Sequence, residues 1–348
     1  MKLLDQLGIT YPIIQAPMAG GATTPELIAA VSDFGGLGSL GAGMTAPTAL
    51  NSQIDVIKKL TERPFMVNLM VLSDLDASTF DTSMPDWLTQ YYKEHHIKAA
   101  LPDRPAQSFA EQLQVLYENP VSVVSFTFGI VSTEQVQRLQ QLGTCVIGTA
   151  NHPLEAQAWA EIGADAVCLQ GMEAGGHRGG WLPESEADPL GLLTLIGQTR
   201  ACTDIPLIAS GGIMTGQGIR AIQASGAQLA QLGTAFLTTD ESGINDIYKQ
   251  ALLDTSLGNR STETRLTRLF SGKQARGLVN EYLLDFAVFD KKDELPPYPQ
   301  LNAMTSPMRA NAAKNEDAEH LSLWAGQGVT QVRQERAITL LERLVQEL

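Results

Sequence analysis

From residue 13 to residue 236 the chain alternates short apolar runs with amphipathic stretches, and that rhythm restricts the fold more than any other feature. Strand-like runs open at 13–21, where the strand runs into a Pro/Gly turn, and recur at 37–41, 65–69, 121–126, 144–148, 166–170, 206–210 and 228–236. Helical spacing fills 26–34, 46–60, 107–117, 133–142, 153–162, 190–199 and 216–225. The first helix is well marked: Thr24 can cap it, Pro25 suits its first position, and Gly35-Gly36 ends it. Strand, helix and strand at such short spacing imply parallel βα units. Eight strands favour a closed (β/α)8 TIM barrel over an open doubly wound sheet.

The rhythm is interrupted twice. Residues 73–105 carry Pro85, Pro102, Pro105, Tyr91, Tyr92 and the pair His95-His96. They read as an insertion after the third strand, at the end where a barrel keeps its active site. Adjacent histidines on a helix project about 100° apart, and no carboxylate cluster accompanies them, so no metal is expected. Beyond 241 the barrel pattern stops. Residues 263–270 alternate like a strand, 277–289 are apolar, 293–299 are proline-rich and 304–320 read as a polar helix. A glycine-bounded patch at 321–328 and an amphipathic helix at 332–348, expected to close the barrel, complete the chain. The division that follows is a barrel of 1–72, 106–240 and 321–348, with 73–105 and 241–320 forming a smaller lid or substrate-binding domain over the mouth.

Charge removes two classes of partner. A net charge of −14 leaves no basic patch for nucleic acid or an anionic membrane. No run approaches the roughly 18 apolar residues of a membrane span, and the polar N-terminus does not read as a signal peptide. Cys145, Cys168 and Cys202 lack metal-ligand spacing. Two of them lie in apolar strand-like runs, so buried free thiols and a cytoplasmic location are expected.

Chemistry concentrates in 166–181. A strand ends at Gln170 and runs into a loop holding Gly175, Gly176, Gly179 and Gly180 around His177. Four glycines let the backbone approach a flat ligand. The two last strands end in Ser210-Gly211-Gly212 and in Gln231-Leu232-Gly233-Thr234, each leading into helical sequence. Loops after strands seven and eight are where barrels often bind phosphate, through free backbone N–H groups and a helix N-terminus. Asn68 and Gln170 at strand ends can hydrogen-bond a planar heterocycle, and the Pro17-Met18-Ala19-Gly20-Gly21 turn adds backbone groups and a thioether. Phosphate plus flat heterocycle suits FMN. A Rossmann dinucleotide does not fit, because no G-x-G-x-x-G opens the first βα turn.

These stretches resemble the nitronate monooxygenase family, formerly called 2-nitropropane dioxygenases, in its class I branch. The similarity rests on Gln15-Ala-Pro-Met-Ala-Gly-Gly, Asn68, Gln170-Gly-Met-Glu-Ala-Gly-Gly-His177-Arg-Gly, Ala209-Ser-Gly-Gly-Ile and Gln231-Leu-Gly-Thr, with Phe270-Ser-Gly-Lys and Trp324-Ala-Gly-Gln in the tail. The resemblance implies FMN contacts from Asn68, Gln170, Gly175, Gly212, Gln231, Gly233 and Thr234, and an active-site role for His177. It implies oxidation of a nitronate, with propionate 3-nitronate the expected substrate, by O2 and without NAD(P)H, to a carbonyl compound plus nitrite and nitrate. For a pre-formed nitronate, a protonated His177 paired with the nitronate oxygens is favoured over a neutral base. Arg178 is expected to be structural, and His152 a supporting partner of the site. An exposed lid surface leaves room for a homodimer. The competing readings are an FMN-dependent enoyl-acyl-carrier-protein reductase, which usually carries an acid where this chain has Gln170, and a non-catalytic flavin-binding protein.

Overall fold

Strand Phe65–Met70 is buried at all six positions, which is what a strand requires when helices cover one face and the barrel interior fills the other. The computed structural model describes residues 3–72, 83–99, 101–102, 104–291 and 294–348. Eight such strands follow in order: β1 (Ile13–Gln15), β2 (Gly38–Gly41), β3 (Phe65–Met70), β4 (Val123–Thr127), β5 (Cys145–Ala150), β6 (Ala166–Gln170), β7 (Leu207–Ser210) and β8 (Leu229–Leu232). All neighbours pair in parallel, and β8 returns to β1. Closure at β1 and β2 is thin, a single bridge from Ile14 to Leu37. The fully buried Gln15 reinforces it, because its Oε1 accepts the Ser39 N–H at 2.9 Å. The expected (β/α)8 barrel is the observed one.

Two apolar layers fix which end of the barrel stays open. The larger lies between strands and helices and includes Leu27, Ile54, Trp159 and Leu341. The other fills the barrel interior with Ile14, Met66, Val123, Ile147, Cys168, Ile208 and Leu229, and helix Leu3–Leu7 plugs its N-terminal end with Leu3 and Leu7. The C-terminal mouth is therefore the face left for a ligand. Gly148 shows how tightly the wall is packed, since a Cβ there would lie 2.1 Å from the Trp159 indole. Gly148→Ala is expected to cost about 2–3 kcal/mol of stability, read as a lower urea midpoint at unchanged slope.

Helix ends follow the sequence signals. Thr24 accepts from the Leu27 N–H at 3.0 Å, Pro25 opens helix Pro25–Phe34, and Gly35 ends it at φ 103°. Two expectations need correction. The last barrel strand stops at Leu232, and Thr234–Leu237 is a short helix where continued strand was expected. The C-terminal helix is confined to Ala337–Gln346. It packs beside Pro25–Phe34 and Gly216–Ala224 and so completes the ring of helices.

A separate aromatic cluster stands over the mouth. Tyr91, Tyr92, Phe270, Tyr282, Leu301 and Met304 are buried together, and Trp87 stacks on Phe289 with ring centroids 5.7 Å apart. Part of the insertion, 73–82, lies outside the described residues. A small antiparallel sheet joins this region to the barrel: Thr264–Thr267 pairs with Ala275–Leu278, which pairs with Gly176–His177. Helix Asp246–Leu257, by contrast, buries Ala251 and Leu252 in the barrel-side core.

Candidate active site

At the C-terminal mouth lies a cavity of about 580 Å³, within the range usual for cofactor and small-molecule sites. The strand ends converge there, and they bring together the twelve residues expected to bind cofactor or act in catalysis. Met18 lines it from the turn after β1, Asn68 from β3, and Gln170, Gly175, Gly176 and His177 from β6 and its loop. Ser210, Gly211 and Gly212 enter after β7, and Gln231, Gly233 and Thr234 at β8. Gly211 and Gly212 take φ values of 127° and 69°, the left-handed region in which glycine alone is unstrained. That conformation turns the β7 loop sharply at the rim without side-chain bulk.

The His177 loop is held from beneath by polar side chains. Gln170 Nε2 donates to the His177 carbonyl at 3.0 Å, while its Oε1 accepts from Gly179 N at 2.9 Å and Asn151 Nδ2 at 2.8 Å. Both ends of the Gln170 amide therefore shape the loop. Glu155, fully buried, accepts four backbone N–H groups: Asn151 at 2.6 Å, His152 at 3.2 Å, Trp181 at 2.6 Å and Leu182 at 2.8 Å. Arg178 is structural, as expected, donating to the Gly171 and Gln170 carbonyls at 2.6 and 3.2 Å. His152 is not a partner of the site. Its Nδ1 caps helix Pro153–Glu161 by accepting from Leu154 N at 3.3 Å, and it does not line the cavity.

Two amides keep free polar atoms for a ligand. Asn68 Nδ2 donates to Ser125 Oγ at 2.9 Å, which leaves Oδ1 available. The Gln231 side chain makes no hydrogen bond to another described residue. Cys168 also reaches the cavity, where burial pushes its thiol up to about 12, so it is an inert wall atom. Cys145 and Cys202 are free as well, the latter exposed. His95 stacks on Tyr91 with centroids 4.1 Å apart.

His177 departs most from expectation. Its ring sits among Phe128, Tyr298 and Trp324, with centroids at 5.8, 5.4 and 5.5 Å. Burial, then the cations of Lys273 and Arg309, hold its pKa down at about 3. A protonated ring is therefore the disfavoured form near neutral pH, contrary to the electrostatic role anticipated for it. Its Nε2 lies 2.8 Å from Ser271 Oγ. That hydroxyl has one hydrogen, and the Lys273 carbonyl at 3.0 Å is positioned to accept it. On this network Nε2 carries the ring proton and donates to Ser271, and Nδ1 keeps its lone pair.

The depressed pKa has a stability consequence. An unfolded His binds a proton near pH 6.5, whereas folded His177 does so only near 3. Between these values the unfolded state holds more protons, so this residue's contribution is complete above about 6.5 and is lost as pH falls toward 3. His177→Gln is expected to flatten the fall in Tm between pH 6.5 and 4, measured against wild type by thermal scans across that range.

Phe128, Tyr298 and Arg309 were given no role from the sequence, and Ser271 and Lys273 entered only through the Phe270-Ser-Gly-Lys stretch, also without a role. Phe128 stands at the end of β4 with φ 72°, so the strand-end argument applied to Asn68 and Gln170 would have found it. The other four come from 271–309, where no periodicity marks an inward face.

Comparison with known proteins places this geometry in context. A family profile described as nitronate monooxygenase matches residues 2–347. A probable nitronate monooxygenase of Bacillus subtilis (strain 168) is 37% identical over 348 positions, covering 99% of this chain and 98% of the relative. Another from Staphylococcus haemolyticus is 40% identical, covering 100% and 96%. Among solved structures, a nitroalkane oxidase from Streptomyces ansochromogenes superimposes with a TM-score of 0.89 at 41% identity, over 99% of this chain and 97% of that one. FabK from Thermotoga maritima follows at 0.76 and 27%, over 100% and 96%.

Proposed function

Because the chain belongs to the nitronate monooxygenase family, we propose that it oxidises alkyl nitronates with O2, using FMN and no nicotinamide. The observation that carries this reading is the family match along residues 2–347. Propionate 3-nitronate is the substrate we assign, with a carbonyl compound, nitrite and nitrate as products. The twelve cavity residues named above are its proposed site, and the aromatic cluster of 84–101 and 269–308 its cover.

The residues present fit FMN. Side chains are absent from the rim at Gly211, Gly212 and Gly233, and Cβ atoms at Gly20 and Gly176 would meet nothing within 4 Å. The loops after β7 and β8 would take the phosphate, and Asn68 Oδ1 and Gln231 would meet the ring edge. Bound flavin supplies the capacity to accept and pass on electrons. The chain's own residues then bind and orient the substrate. Neutral His177, its Nε2–H held by Ser271, offers Nδ1 as a proton acceptor. Tyr298, Trp324 and Phe128 pack around the ring, and Lys273 and Arg309 supply positive potential for an anion.

The reductase alternative is disfavoured by Gln170. Its Nε2 must donate to the His177 carbonyl, which a carboxylate at that position could not do. Oxygen uptake by the FMN-loaded protein with propionate 3-nitronate, nitrite release and no requirement for NAD(P)H is the expected result. NADH oxidation with an enoyl thioester and no oxygen uptake would move the protein to the reductase reading. Inertness in both assays would leave a flavin-binding protein.

A further inference from the structure

Arg309 lines the cavity without an ion-pair partner among the described residues. It lines the wall from helix Ser306–Lys314. Its Nη2 donates to the Asn302 carbonyl at 2.7 Å and to Asn302 Oδ1 at 3.0 Å, and its Nε to the Thr305 carbonyl at 3.4 Å. Nη1 has no acceptor among the described residues. Among the described residues, the groups that act on the guanidinium are the phenols of Tyr282, Tyr92 and Tyr298.

Other arginines of this chain are treated differently. Arg260, Arg268 and Arg343 form ion pairs at 2.6, 3.1 and 2.6 Å. Buried Arg178 and Arg276 feel Glu173, and Arg178 also Glu155. With 38 acidic residues against 24 basic ones, acids are not scarce, yet among the described residues none pairs with Arg309. A desolvated cation without a partner is costly unless a ligand completes it.

Its placement identifies the ligand side. Asn302 and Thr305 hold the guanidinium, and Thr305 is fixed in turn by donating to the Phe270 carbonyl. Arg309 depresses the pKa of His177, and Tyr298, which it also influences, stands 5.4 Å from the His177 ring by centroids. Arg309 is thus on the His177 side of the cavity, where a substrate would react.

We propose that Arg309 is a specificity-determining residue that receives an anionic substituent of the substrate, a carboxylate carried a few bonds from the reacting carbon. Asn302 and Thr305 occupy Nη2 and Nε of the guanidinium fork, which leaves the two N–H donors of Nη1 for a carboxylate. Substrates with an uncharged alkyl tail leave Nη1 unfilled, so the acid-bearing nitronate is preferred. The identity of the reacting group rests on the nitronate reading; the anion receptor is tested without it.

The test is binding, not turnover. 3-Nitropropionate and 1-nitropropane share the nitro end and differ in the carboxylate. Each is titrated into the flavin-loaded protein, and Kd is read from the flavin absorbance difference. Arg309→Met is expected to reduce the preference for 3-nitropropionate over 1-nitropropane by about 30-fold or more, as loss of a buried charge partner does. Arg309→Lys, which keeps the charge without the fork, should recover part of that preference. Equal weakening of both ligands would place Arg309 at the shared nitro end and overturn the proposal. So would an unchanged preference, or loss of bound flavin, which would assign Arg309 to the cofactor. If wild type binds 3-nitropropionate through Arg309 yet consumes no oxygen with the nitronate, the reaction assignment fails while the receptor stands.

Discussion

Replacing His177 with asparagine is expected to lower kcat/KM for a neutral nitroalkane by about 10²–10⁴-fold, the usual loss for a removed general base. For the matching pre-formed nitronate the loss should be about tenfold. The asymmetry follows from the protonation state. A ring held near pKa 3 is neutral at assay pH, and with Nε2–H donated to Ser271 only Nδ1 can take a proton. A nitroalkane must lose its α-proton before it can be oxidised, whereas a nitronate has already lost it. Oxygen uptake at pH 7.5 with nitroethane and with ethyl nitronate, wild type beside variant, measures both. Equal losses on the two substrates would mean that His177 binds the anion and abstracts nothing.

The second large effect falls on a residue that touches no ligand. Glu155→Ala removes the single acceptor of four backbone N–H groups, those of Asn151, His152, Trp181 and Leu182. Each buried N–H left without a partner costs about 1–3 kcal/mol, and collapse or entering water returns part of it. The net loss is expected at about 3–5 kcal/mol, measured as the shift in urea unfolding. Because two of the four groups lie just past Gly180, the His177 loop should also become sensitive to limited proteolysis there. A variant within 1 kcal/mol of wild type and equally resistant would show that the carboxylate is dispensable.

The barrel was legible because its strands are short runs of apolar residues and most of them lead directly into a helix with clear end signals. Strand Ala166–Gln170 falls on its expected bounds. The last strand was read too long, since Thr234-Ala-Phe is apolar enough for either state and the turn at Gly233 decided it. Cavity residues on strand ends were legible for the same reason: topology converges them whatever lies elsewhere. Ser271, Lys273 and Arg309 were not, because their place depends on tertiary pairing. Ser271 meets His177 across 94 residues of chain, through a strand pair between Ala275–Leu278 and Gly176–His177 that no periodicity announces. Electrostatics was the least legible level. A histidine in a glycine loop looks solvated in sequence, and only the aromatic cover and two cations around it reveal a neutral ring.

The stretch after the aromatic cover reaches back over the glycine loop. Gly326 N donates to Thr234 Oγ1 at 2.9 Å, Gln327 N to the Glu173 carbonyl at 2.9 Å, and Ala325 N to the Arg276 carbonyl at 3.2 Å. A Cβ on Gly175 would sit 2.4 Å from Gly326 N, so these backbones are in direct contact. Residues 325–327 are translated long after β8 has left the ribosome. A nascent chain thus possesses all eight strands before it possesses a finished pocket, and chains arrested before this stretch would be barrels without a completed site.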